Sequence, residues 1–110
     1  MTEYAPDNWI VFSSPKVKGY RILAGWSGGY LDSDHWRINS GIDRVDFDGD
    51  YYFFYGATGS VYRCHKNAYC LRNNNSYIWE QLESDKYQAV MLPESTDWLN
   101  FDWVGETDHA

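Results

Sequence analysis

Three aspartates at alternate positions, Asp46, Asp48 and Asp50, surround Gly49, and a hard cation such as calcium binds where several carboxylate oxygens meet in a short loop. The helix-flanked calcium loop needs three oxygen ligands before its glycine and a glutamate beyond it. Here the flanks are Val45-Asp46-Phe47 and Tyr51-Tyr52-Phe53, residue types that suit strands, so the aspartates read as turn chemistry. Cys64, His65 and Cys70 offer softer ligands, which His35 or His109 could complete to a tetrahedral zinc set. Paired ligands at C-x₂-C spacing are missing, and consecutive strand residues point to opposite faces, so adjacency alone does not make Cys64 and His65 a chelate or a nucleophile with its base. The reading is two free thiols, no metal and no cofactor. An acid-base pair built from His35 or His65 and a carboxylate ranks last, because it needs a cleft to bring the groups together.

The aromatic residues make the broader case. Trp26, within Gly25-Trp26-Ser27-Gly28-Gly29, could form a stacking platform for a sugar or a base with Tyr30, Tyr51 or Tyr55 beside it. Trp26, Tyr30 and Trp36 together define a small-ligand or carbohydrate-binding alternative. Against this, a chain with 6 tryptophans and 10 tyrosines must use most of them in its core. A net charge of −7 repels phosphate backbones, so no direct nucleic-acid binding is expected; the charge serves solubility or mimics nucleic acid toward a basic partner. Arg21, Arg37, Arg44, Arg63, His65, Lys66 and Arg72 still allow a local basic patch on the outer face of the sheet, which Asp43, Asp46 or Asp50 could neutralise across strands. No phosphate-cradling glycine loop, catalytic triad or paired metal-binding histidines are present.

The elements that must position these groups are mostly strands. Asp48-Gly49 joins Ile42–Phe47 to Tyr51–Tyr55, and Gly56–Cys64 follows, predicting a three-stranded antiparallel meander. Trp9–Phe12 and Tyr20–Ala24 should pair, with Tyr20, Ile22 and Ala24 on one face and Arg21 and Leu23 on the other. His35–Asn39 reads as a strand with Trp36 and Ile38 inward and His35, Arg37 and Asn39 outward. Asn73-Asn74-Asn75-Ser76 reads as a capping loop that also fits a glycosylation pattern, and Tyr77–Glu83 as a short helix packed through Ile78, Trp79 and Leu82. Tyr87–Leu92 and Trp98–Trp103 read as further strands, the latter with Leu99, Phe101 and Trp103 on one face. The fold class is α+β: a mostly antiparallel, twisted sheet or partly open barrel with one short packed helix. The 110 residues read as one domain with an ordered core over about 8–104 and a frayed acidic tail. Neither a secretory leader nor a membrane span is read in it. The Trp98–Trp103 edge leaves monomer and weak dimer both open.

The strings Trp9-Ile10-Val11-Phe12, Tyr20–Tyr30, Trp36–Gly41, Gly49–Gly56 and Tyr62-Arg63-Cys64-His65-Lys66 resemble those of a group of small proteins encoded by the T4-like bacteriophages of marine cyanobacteria. The resemblance covers most of residues 9–103 and carries no activity, ligand or site residue with it. What it implies is context: a small protein in the cytoplasm of an infected bacterial host, where short phage genes often encode factors that redirect host machinery. The expectation is a non-enzymatic interaction protein that binds a host protein through exposed aromatic and acidic residues, with the binding residues drawn from Trp26, Tyr30, Trp36, Tyr51 and Tyr55.

Overall fold

Strand β2 (Asn8–Ser14) and strand β3 (Val17–Trp26) form the long hairpin of the molecule, in register from Asn8 opposite Gly25 to Ser13 opposite Tyr20. Their alternation is what organises the rest. Trp9, Val11, Ile22 and Ala24 point to one side and Ile10, Phe12 and Leu23 to the other, and both sets are buried. A strand pair that is apolar on both faces must be covered on both. The structure, a computed structural model, describes residues 2–28 and 34–104.

On the first side lies a four-stranded sheet of order β1-β7-β6-β5. It contains β1 (Thr2–Tyr4), β5 (Arg44–Phe47), β6 (Tyr51–Tyr55) and β7 (Ser60–His65). The last three form the expected meander, and its first turn has the expected chemistry: Gly49 takes φ +107°, and the Asp48 carboxylate accepts the N–H groups of Asp50 and Tyr51 at 2.9 and 2.8 Å. The second sheet, of order β4-β3-β2-β8, adds β4 (His35–Ile38) and β8 (Val90–Met91) to the hairpin. Its other face carries helix α1 (Ser76–Glu83), which buries Ile78, Trp79 and Leu82 against Ile10, Phe12 and Leu23. The fold is α+β; the two sheets stay open, and the barrel alternative falls away. Among the described residues no helix is long and apolar enough to cross a membrane.

Trp9 is the centre of the first cluster. It is fully buried at 0% exposure, donates its indole N–H to His65 O at 2.8 Å, and meets the rings of Phe54, Tyr69 and Trp98 at 5.3, 4.7 and 5.5 Å. Edge and tilted contacts of this kind add to the area that large rings bury.

Several expectations are corrected. Trp98–Trp103 is not a strand but a run of turns. The Thr96 hydroxyl donates to Pro93 O and the Asn100 amide to the Asp97 carboxylate, local bonds that compete with a ladder. Trp98 and Trp103 are buried there, with stacked rings 6.1 Å apart, whereas Leu99 is 47% exposed. The edge strand on which a dimer would pair is thus absent from this segment. In 87–92 only Val90–Met91 is strand, because Gln88 takes φ +52° as the chain folds back from the helix. Just after β4, Asn39 turns inward: its Oδ1 accepts from Ile22 N at 2.9 Å and its Nδ2 donates to Gly41 O at 2.9 Å. Trp36, expected inward, is 39% exposed. β1, which pairs in parallel with β7 from Thr2 opposite Ser60 to Tyr4 opposite Tyr62, lies ahead of the expected core.

Asn75 occupies the helix N-cap position without capping by its side chain. It joins a buried amide cluster instead. Asn8 Nδ2 donates to Asn75 Oδ1 and to Cys70 O, each at 3.1 Å, and Asn74 Nδ2 donates to Asn8 Oδ1 at 2.6 Å. Asn74, the glycosylation-pattern residue, is 1% exposed, closed in by the backbone of Gly25.

Candidate functional site

The five sequence candidates fall into separate places. Tyr30 lies outside the described residues. Trp26, at the end of β3, shares the face of Ile22 and Ala24; its indole N–H donates to Ala5 O at 3.1 Å, and its ring stacks flat on His35 at 4.9 Å. Trp36 takes the opposite face of the same sheet, where it joins Phe12, Ile38, Ile78, Leu82 and Tyr87 around an apolar pocket of about 300 Å³. The register that pairs Trp26 with His35 and Gly25 with Trp36 is what separates the two tryptophans, so they do not build one ligand platform.

Tyr51 and Tyr55 do come together, on the outer face of the meander sheet. Because Tyr52 and Phe54 pack into the core, the alternate residues Tyr51, Phe53 and Tyr55 form an outward row along β6, each half-buried. Their neighbours across the sheet are basic. Arg44 lies opposite Tyr55 with its guanidinium 3.7 Å from the ring centre, and Arg63 lies opposite Phe53 with its guanidinium 4.8 Å from the Tyr51 ring. Each arginine also meets a carboxylate, Arg44 with Asp46 at 2.8 Å and Arg63 with Glu3 at 3.5 Å. The hydrogen bond to Asp46 raises the Arg44 pKa further above its ordinary value, so its charge is fixed at any physiological pH. Among the described residues the elements that cover a sheet face, α1 and the Trp98–Trp103 turns, belong to the other core faces, which leaves this row facing solvent.

Phe53 is the member of this row that the sequence reading did not single out. Its signal was there in the period of two that puts it between Tyr51 and Tyr55. The arginines were candidates for a basic patch, and each is instead divided between a ring and an acid. Such a surface offers flat apolar area with charge held in place, and rings with pinned guanidiniums make strong protein contacts.

The metal and acid-base candidates are otherwise engaged. Asp46 is bonded to Arg44, and Asp48 is held below the usual carboxylate range by the backbone N–H groups of Asp50 and Tyr51. Cys64 is fully buried on the inner face, where burial pushes its thiol well above the ordinary pKa; His65 lies on the outer face and accepts Asn67 N–H at Nδ1. Among the described residues no three His, Cys, Asp or Glu side chains gather as a metal site, and no hydrogen bond joins His35 or His65 to a carboxylate. Comparison with protein-family models, with curated proteins and with solved structures returns no match.

Proposed function

We propose that this chain is a non-enzymatic interaction protein that docks another protein on the outer face of the meander sheet, with Tyr51, Phe53 and Tyr55 at the centre and Arg44 and Arg63 beside them. The observation that carries the reading is the row itself: three half-buried rings in line on a sheet face that no other described element covers. Aromatic and arginine side chains dominate the centres of protein interfaces, and rings already braced by neighbours lose little freedom on binding. A long nucleic acid is disfavoured by the net charge of −7, since a polyanion feels the whole field of the molecule. The resemblance to the cyanophage proteins supplies the setting, a host protein in the bacterial cytoplasm during infection.

The test is capture from cyanobacterial lysate with the wild-type chain and with Tyr51→Ala/Tyr55→Ala, run in parallel at low and moderate salt. One host protein retained in stoichiometric amount by the wild type and lost by the variant is the expected result, with circular dichroism verifying that the variant is folded. The same proteins on both columns would remove this face as the docking surface. Because Arg44 is exposed and Arg63 half-buried, both charged at the surface, retention by the wild type should also fall as salt rises.

A further inference from the structure

A pocket of about 720 Å³ opens at the seam between the two sheets, where β4 and the chain after it meet β1 and the start of β7. Its wall includes Arg21, Arg37, Ser40, Thr58 and Ser60, and among the described residues no aspartate or glutamate lines it. That is unusual in a chain with 16 acidic and 9 basic residues. We infer that this pocket binds a small oxyanion, the phosphate or carboxylate group of a small molecule, between the guanidiniums of Arg21 and Arg37 and the hydroxyls of Ser40, Thr58 and Ser60.

The geometry shows both guanidiniums held in position before any ligand arrives. Arg37 lies over the Tyr4 ring, 4.6 Å from its centre, and that ring is stacked on Tyr62 at 4.9 Å. Arg21 donates from Nη1 to Asn39 O at 3.1 Å, and Asn39 is itself fixed in the core by its bonds to Ile22 N and Gly41 O. Arg21 Nε is buried and without a hydrogen-bond partner among the described residues; the same side chain also borders the apolar pocket around Trp36. The opposite wall is equally set. Ser40 Oγ and Thr58 Oγ1 are 2.9 Å apart, and the turn that carries Thr58 is closed by Gly56 N–H to Ser60 O at 2.8 Å.

Planar guanidiniums match phosphate and carboxylate in shape and charge, and hydroxyls complete the remaining oxygen lone pairs. The volume lies within the roughly 300–1,000 Å³ of small-molecule sites. The unfavourable overall charge does not forbid this: at physiological ionic strength exposed charges beyond about 8 Å are largely screened, so a small anion at this solvent-open pocket responds mainly to the two nearby arginines. The inference stands apart from the docking face, which lies on the other side of the meander sheet: along β1, Thr2 and Tyr4 line the pocket while Glu3 meets Arg63.

The experiment is an amide-resolved NMR titration of the labelled full chain with inorganic pyrophosphate and, separately, citrate, at constant ionic strength. Saturable shifts centred on Ser40, Gly59 and Ser60 are expected for at least one probe. Arg37→Gln should weaken that affinity by about tenfold, the worth of one charge-assisted hydrogen bond, and Thr58→Glu, which places a carboxylate in the wall, should abolish it. Arg44→Gln, on the outer face, should leave it unchanged. Saturation by pyrophosphate alone assigns a phosphate ligand and by citrate alone a carboxylate one; both support the pocket. Shifts that fail to saturate, spread over the whole surface, or persist equally in Arg37→Gln and Thr58→Glu overturn it.

Discussion

An amide taken out of water without partners costs more than its bonds later return, so three buried asparagines in one cluster must serve one another. Asn8 is the shared member: its Nδ2 bonds to Asn75 and to Cys70 O, and its Oδ1 receives Asn74. Removing it takes a partner from Asn74 Nδ2, Asn75 Oδ1 and Cys70 O at once. Asn8→Ala should therefore destabilise the protein by about 2–4 kcal/mol, more than a surface amide would, as read by urea unfolding. Gly25→Ala should act through the same cluster, because a Cβ there would stand 2.1 Å from Asn74 Oδ1. A loss for Asn8→Ala no larger than for the exposed Asn67→Ala would contradict the role given to the cluster.

At the level of elements, the segment after β8 contributes by its indoles rather than by backbone pairing. Trp98 contacts Trp9, Phe54 and Tyr69, and Trp103 donates to Trp98 O at 3.1 Å, so an irregular run caps the open end of the core. Trp98→Ala should cost about 3–5 kcal/mol through the cavity it leaves, measured by denaturant midpoint, whereas Leu99→Ala should cost under about 0.5 kcal/mol, as surface changes do. Were Trp98–Trp103 a strand facing inward at Leu99, the order would reverse. This is where sequence legibility ended. The meander was readable because a period of two and an Asp-Gly turn agree, and the helix because Ile78 and Leu82 recur at one turn. Trp98–Trp103 also alternates, but Thr96 and Asp97 satisfy the backbone and side chains locally, which alternation cannot reveal. β1 was invisible because Thr2-Glu3-Tyr4 is short and a parallel partner leaves no turn signal. The candidate site shows the same division. Tyr51 and Tyr55 share a face by parity within one strand, whereas the separation of Trp26 from Trp36 depends on the register between β3 and β4, a property of neither strand alone.

For the whole molecule, the shared hairpin makes both cores one unit, since losing β2 or β3 exposes an apolar face to each side. Tyr69 ties that unit to the later chain: its hydroxyl donates to Leu92 O and receives Val11 N–H at 3.1 Å. Burial pushes its pKa up to about 12 from 10.0. A phenol whose folded pKa is raised contributes stability that is intact below the unfolded value and is lost as pH rises toward the folded one. Global stability should accordingly fall between about pH 10 and 12, and Tyr69→Phe, less stable at neutral pH by about 1–3 kcal/mol from the two missing bonds, should lose less over that interval. Tyrosinate absorbance followed alongside unfolding would check this; an identical alkaline decline in the variant would assign it to other groups.

The parallel pairing of β1 with β7 also sets an order of events during synthesis. A chain emerging from the ribosome can close the β2-β3 hairpin early, but Thr2–Tyr4 must wait for Ser60–Tyr62 before it has a partner. Until then Thr2–Tyr4 is an extended segment without its ladder partner, and its backbone groups are open to pairing with another chain. Completion of the seam is thus a late step in the making of the chain, reached only after some fifty-five residues beyond β1 have followed it.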